Sequence, residues 1–104
     1  MTLLDRFLKQ PDEIKIYQID YEEWLFTGEV LTAVSPTVTL LNPASGDVGE
    51  PTLAVGVTSI LAGNIFEYSL SAGTHNKRYK ITFLADTSDS QRVESEIEFK
   101  VTDL

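Results

Sequence analysis

The chain has 104 residues and is 42% hydrophobic, enough for one domain with a core; it carries sixteen acidic and eight basic side chains and no cysteine. A net charge of −8 has the wrong sign for counterion-release binding to nucleic acid. The missing cysteine removes disulfides, thiolate metal sites and thiol nucleophiles, and no apolar run nears the roughly 20 residues that span a bilayer.

Residues 1–13 open the chain with Leu3, Leu4, Phe7 and Leu8 at a spacing that suits one or two helical turns, which Pro11 would stop. Asp5 and Arg6 interrupt the apolar part, unlike a signal peptide. This stretch is expected to be a short arm or helical turn that docks on its own domain or on a neighbouring subunit.

The first clear strand is Ile14 to Ile19, with Ile14 and Ile16 on one face and Tyr17 and Ile19 on the other. Asp20 to Leu25 breaks the alternation and predicts a single turn capped by Asp20. After Gly28, Glu29 to Val34 predicts a second strand, and Thr37 to Leu41 a third or a continuation past Pro36. Residues 42–51 hold two Gly and two Pro and form the most turn-rich segment. Leu53, Val55 and Val57 alternate in a further strand, where Gly56 marks a bulge.

Three strands close the chain. Phe66, Tyr68 and Leu70 share the inward face of one, and Tyr79, Ile81, Phe83 and Ala85 that of the next. In the last, Val93, Ser95, Ile97, Phe99 and Val101 alternate with Arg92, Glu94, Glu96, Glu98 and Lys100. An antiparallel sheet with one apolar face needs a second layer. About seven strands spaced by turns predict an all-β, immunoglobulin-like antiparallel sandwich over residues 14–104.

Little in the chain can do chemistry. The single histidine, His75, falls in the turn Ala72 to Lys77, and no nucleophile motif accompanies it. One histidine without cysteine argues against zinc. Asp86-Thr-Ser-Asp89-Ser alternates oxygen ligands but lacks the glycine and terminal glutamate of a calcium loop, so a polar connection is the better reading. Glu94, Glu96 and Glu98 form a solubilising face or one awaiting a basic neighbour. The Lys77-Arg78-Tyr79-Lys80 run suits a solvated strand face.

The aromatic cassette is the candidate for recognition, because Trp and Tyr dominate interface hot spots. Trp24 and Leu25 are expected to anchor an end of the sandwich, while Tyr21 and Phe26 join Leu3, Leu4, Phe7 and Leu8 as a candidate partner interface. Tyr79 follows a Gly-containing turn, the place of the tyrosine corner in Greek-key sandwiches.

Two blocks together resemble a family of small immunoglobulin-like structural proteins of tailed bacteriophages, the fibre–tail adaptor and related virion proteins. In the first, Lys9-Gln-Pro-Asp-Glu13 leads into an apolar strand and then Asp20-Tyr-Glu-Glu-Trp-Leu25. In the second, the small-residue turn Ser71-Ala-Gly-Thr74 precedes Tyr79, and the last strand follows the polar loop Asp86 to Gln91. The resemblance implies a virion protein without enzymatic activity or cofactors, made in the host cytoplasm. Its partners would be other tail, neck, baseplate or fibre components, with several copies in the particle and neither nucleic acid nor membrane as a target. The alternative is a generic sandwich module that binds carbohydrate or a host surface through Trp24 or Tyr21.

Overall fold

The computed structural model describes the backbone of residues 2–9 and, with side chains, residues 13–43 and 49–102. Its strands are β1 (Thr2–Lys9), β2 (Lys15–Asp20), β3 (Leu31–Leu40), β4 (Ala54–Leu61), β5 (Ile65–Ser71), β6 (Arg78–Thr87) and β7 (Arg92–Val101). Among the described residues the only helical element is one 3₁₀ turn, Glu22–Trp24. The order β1-β7-β6-β3 makes one sheet and β2-β5-β4 the other. Every pairing is antiparallel except that of β1 with β7.

The opening stretch therefore departs from the expected helical turn. β1 lies parallel to β7, with Thr2 opposite Ser95 and Lys9 opposite Val101. A helix this short gains little by itself, whereas the edge of β7 offers a whole row of backbone donors and acceptors. The backbone of Leu3, Leu4, Phe7 and Leu8 runs along β1, and their side chains lie outside the described part.

Of the two readings open for residues 29–41, the continuation past Pro36 is the one found: β3 runs through Pro36 as one strand. Proline is tolerated because β3 is an edge strand that pairs only with β6, so the missing N–H faces no neighbour. In β4 the register against β5 slips between Val55 and Thr58, around Gly56. A Cβ on Gly56 would sit 2.5 Å from the Ser69 hydroxyl oxygen.

The two sheets meet through the alternating residues of the closing strands. Phe66, Tyr68, Leu70, Tyr79, Ile81, Phe83, Ala85, Ile97, Phe99 and Val101 are all buried. The Phe83 ring meets Phe66 at 6.1 Å and Tyr68 at 5.1 Å across the sandwich, and Tyr17 packs edge-on against Phe99 at 5.2 Å. Ile14 and Ile16 stay on the outer face of β2 while Tyr17 and Ile19 turn inward.

Two buried tyrosines have opposite polar fates. The Tyr79 hydroxyl accepts from the Thr74 N–H at 2.9 Å, five residues upstream, and donates to Glu50 at 2.6 Å. The Tyr68 hydroxyl has no hydrogen-bond partner among the described residues. Burial, then the neighbouring Tyr17 and Tyr21 phenols, pushes its pKa above the ordinary tyrosine value. Tyr79→Phe should therefore cost about 1–3 kcal/mol, because it orphans the Thr74 N–H, while Tyr68→Phe should be neutral or stabilising. Urea midpoints of the two variants, measured side by side, check the contrast.

Candidate docking surfaces at the two ends

Three loops close one end of the sandwich: residues 21–30 after β2, 62–64 after β4 and 88–91 after β6. Backbone bonds lace them together. Tyr21 N–H donates to Asn64 at 2.8 Å, Leu31 N–H to Gly63 at 2.7 Å and Ser88 N–H to Val30 at 2.8 Å. The Ser88 hydroxyl in turn accepts from the Val30 N–H at 3.0 Å.

The strand alternation of Tyr17 and Ile19 carries on past the end of β2 and turns Tyr21 into the core. Tyr21 is fully buried, which corrects its placement at a partner interface. Its ring supports Trp24 edge-on at 5.2 Å. Trp24 remains 39% exposed, Leu25 packs half-buried against the core, and Phe26 is 67% exposed. The Asp20 carboxylate accepts from the Glu22 N–H at 2.9 Å and from the Asn64 side-chain amide at 3.2 Å.

Glu29 explains how an exposed phenylalanine keeps its position. Buried to 6% exposure, its carboxylate accepts from the Phe26 N–H at 2.9 Å and from the Thr87 hydroxyl at 2.5 Å. Gly28, at φ +83°, supplies the left-handed turn that brings Glu29 back under Phe26. Between the first two of these loops lies an open groove of about 520 Å³, lined by Glu22, Leu25, Phe26, Val30 and Gly63 among others. Val30 and Leu61 add exposed apolar surface at the same end.

At the opposite end three cations gather around a second groove. Lys77, Arg78 and Lys100 line this smaller groove of about 270 Å³ together with Leu41, Asn42 and Asn76. Beside it Glu50 gathers a hydroxyl network: Tyr79 and Thr74 donate to it, and the Thr52 N–H does so at 2.9 Å. Gly73 shapes this turn at φ +95°, where a Cβ would stand 2.6 Å from Val101 Cγ2. Burial alone would raise the Glu50 pKa, but the hydrogen bonds from Thr74, Tyr79 and Thr52 outweigh it and hold the carboxyl below its ordinary 4.5.

A depressed folded-state pKa fixes the sign of a pH effect. The stability Glu50 contributes is complete above the unfolded value and is lost as pH falls through the lowered folded one. Glu50→Gln should therefore lower stability at neutral pH and flatten the acid limb below 4.5. Denaturant midpoints followed from about pH 7 down to about pH 3 in both proteins test this.

The remaining sequence candidates are structural in their surroundings. Asp86 is held by Arg92, Nε to Oδ1 at 2.7 Å, across the start of the last hairpin. Lys80 reaches Glu96 on the outer face of β7 at 3.7 Å. Among the described residues no group of three or more His, Asp or Glu is arranged to hold a metal. His75 lies exposed in the turn between β5 and β6. Glu29 and Glu50 escaped the sequence reading. Each looks like one more surface acid until the fold places a hydroxyl-bearing strand beside it.

A family model described as "Podophage GP4 fiber-tail adaptor protein gp77" matches residues 9–100, nearly the whole chain. The chain belongs to this family. Its match takes in the loops at both ends of the sandwich, the aromatic cassette and the closing hairpin. No curated protein matches the chain.

Proposed function

We propose that this member of the gp77 family is a non-enzymatic virion protein that joins the tail to a fibre, each end of the sandwich engaging a different neighbour. The observation that carries this reading is the family match over residues 9–100, and Trp24 and Phe26, held out at one end, give it a surface to dock with. The molecule is 47 Å long, so neighbours at its ends would not touch. A linker needs two such surfaces, and rigid loops lower the entropic cost of binding at each.

The fold in this reading is immunoglobulin-like. β2-β5-β4 and β7-β6-β3 follow the order of the B-E-D and G-F-C strands of that sandwich, and β1 joins the second sheet beside β7. The Tyr79 hydroxyl on the Thr74 N–H matches the tyrosine corner. Residues 14–104 form the domain in this reading and residues 1–13 an arm docked on it, Thr2–Lys9 lying along β7, with several copies arranged around the tail. The protein is made in the host cytoplasm and works in the particle.

Mixing purified fibreless tails with purified fibres tests the reading. The fibres should co-sediment with tails only when this protein is added; equal co-sedimentation without it removes the proposal.

A further inference from the structure

The closing hairpin is charge-matched along its outer face except at its last row. Asp86 lies opposite Arg92 and Lys80 opposite Glu98, an acid facing a base each time, while Thr82 and Leu84 face Glu96 and Glu94. Arg78 instead lies directly opposite Lys100, the one like-charged pair in the strand registers among the described residues. Like charges at facing positions destabilise a sheet. Lys15 pairs with Glu13 at 3.5 Å, Lys80 with Glu96 at 3.7 Å and Arg92 with Asp86 at 2.7 Å. Arg78 and Lys100 have no ion pair among the described residues. In a chain of net charge −8 carboxylates are plentiful, so this row lacks them by placement.

The same two cations open onto a groove. Arg78 and Lys100 line the cavity of about 270 Å³ with Lys77, Asn42 and Asn76. Asn42 and Asn76 sit at φ +51° and +67°, so two amide-bearing turns frame it. We infer that this groove is a carboxylate-binding site, filled by an acidic segment of a partner protein that sets an Asp or Glu against Arg78 and Lys100. This rests on the adaptor reading above and gives the chemistry of one docking end. An anion between the two cations relieves their repulsion, so binding gains from that relief as well as from new charge-assisted hydrogen bonds. A guanidinium takes a carboxylate in two parallel bonds, which fixes the direction of the segment. A nucleic-acid strand is not the occupant, since Glu94, Glu96 and Glu98 follow along the same strand and repel an extended polyanion. One or two carboxylates on a protein segment meet the cations without running over that acidic stretch.

The test treats intact particles with a carbodiimide, which joins a carboxylate to an amine in contact with it and adds no spacer. Mass spectrometry of the digest then identifies what Lys100 has joined. The expected product links Lys100 to an Asp or Glu of a different virion protein. A link from Lys100 only to carboxylates of this chain, within one copy or between copies, overturns the inference, and so does no link at all. Arg78→Gln with Lys100→Gln separates docking from a structural role. Removing the repulsion should leave the urea midpoint level or raise it. Binding of the purified variant to particles made without the chain should be about tenfold slower at low salt than that of the unaltered protein, with most of the salt dependence gone. An unchanged rate overturns the inference. A lowered midpoint does so too, because the cations would then serve the fold by offsetting the chain's own acidity. If the chain is absent from particles, the adaptor reading fails and this inference with it; if it is present and Lys100 joins no partner carboxylate, only this inference fails.

Discussion

Phe83→Ala is expected to remove about 3–5 kcal/mol of unfolding free energy. The ring is fully buried and is the point where the two sheets grip each other, in contact with Phe66 and Tyr68 of the opposite sheet. Truncation loses the transfer free energy of the ring and leaves a cavity that the paired strands cannot collapse to fill. Since a small domain has only about 5–15 kcal/mol in total, the variant should be at the edge of folding. Val57→Ala, at a side chain 82% exposed on β4, should stay within about 0.5 kcal/mol of the unaltered protein. Guanidinium titrations of the pair measure both. A Phe83→Ala loss under about 1 kcal/mol would mean that the sheets do not pack as described.

Phe26→Ala should do the opposite, sparing the fold and damaging assembly. Phe26 is two-thirds exposed, so little core packing is lost. Its N–H still has Glu29 to hold the loop in place. As an aromatic anchor at an interface it is expected to carry at least about 2 kcal/mol of binding, roughly a thirtyfold loss of affinity. Thermal melts compared with fibre occupancy per particle separate the two effects. A normal melt with few fibres agrees with the docking role, and a normal melt with full occupancy contradicts it.

How far the chain could be read ahead of its fold follows from which interactions are local. The closing strands were legible because Phe66, Tyr68, Leu70 and their counterparts alternate strictly, and burial follows that period. Tyr21 was misplaced at the surface because Asp20 seemed to end the alternation, although Ile19 and Tyr21 keep it. The opening strand was missed because nothing in Leu3 to Leu8 records the availability of the β7 edge, a fact of topology. At Pro36 the sequence left a break and a continuation equally open, and only the finished sheet decides, because it places β3 at an edge. Trp24 and Phe26 stood out as aromatic, yet their division into supported and exposed rings depends on Tyr21 and Glu29. Glu29 and Glu50 were illegible because their partners, Thr87 and Tyr79, lie far along the chain.

The central claim is that this chain connects fibre to tail, and particles made without it test that claim most directly. Electron microscopy of particles from cells in which its reading frame is interrupted should show filled heads and complete tails bearing no fibres. Supplying the protein in trans should restore them. Fibres present in normal number on particles that lack the chain would contradict the account.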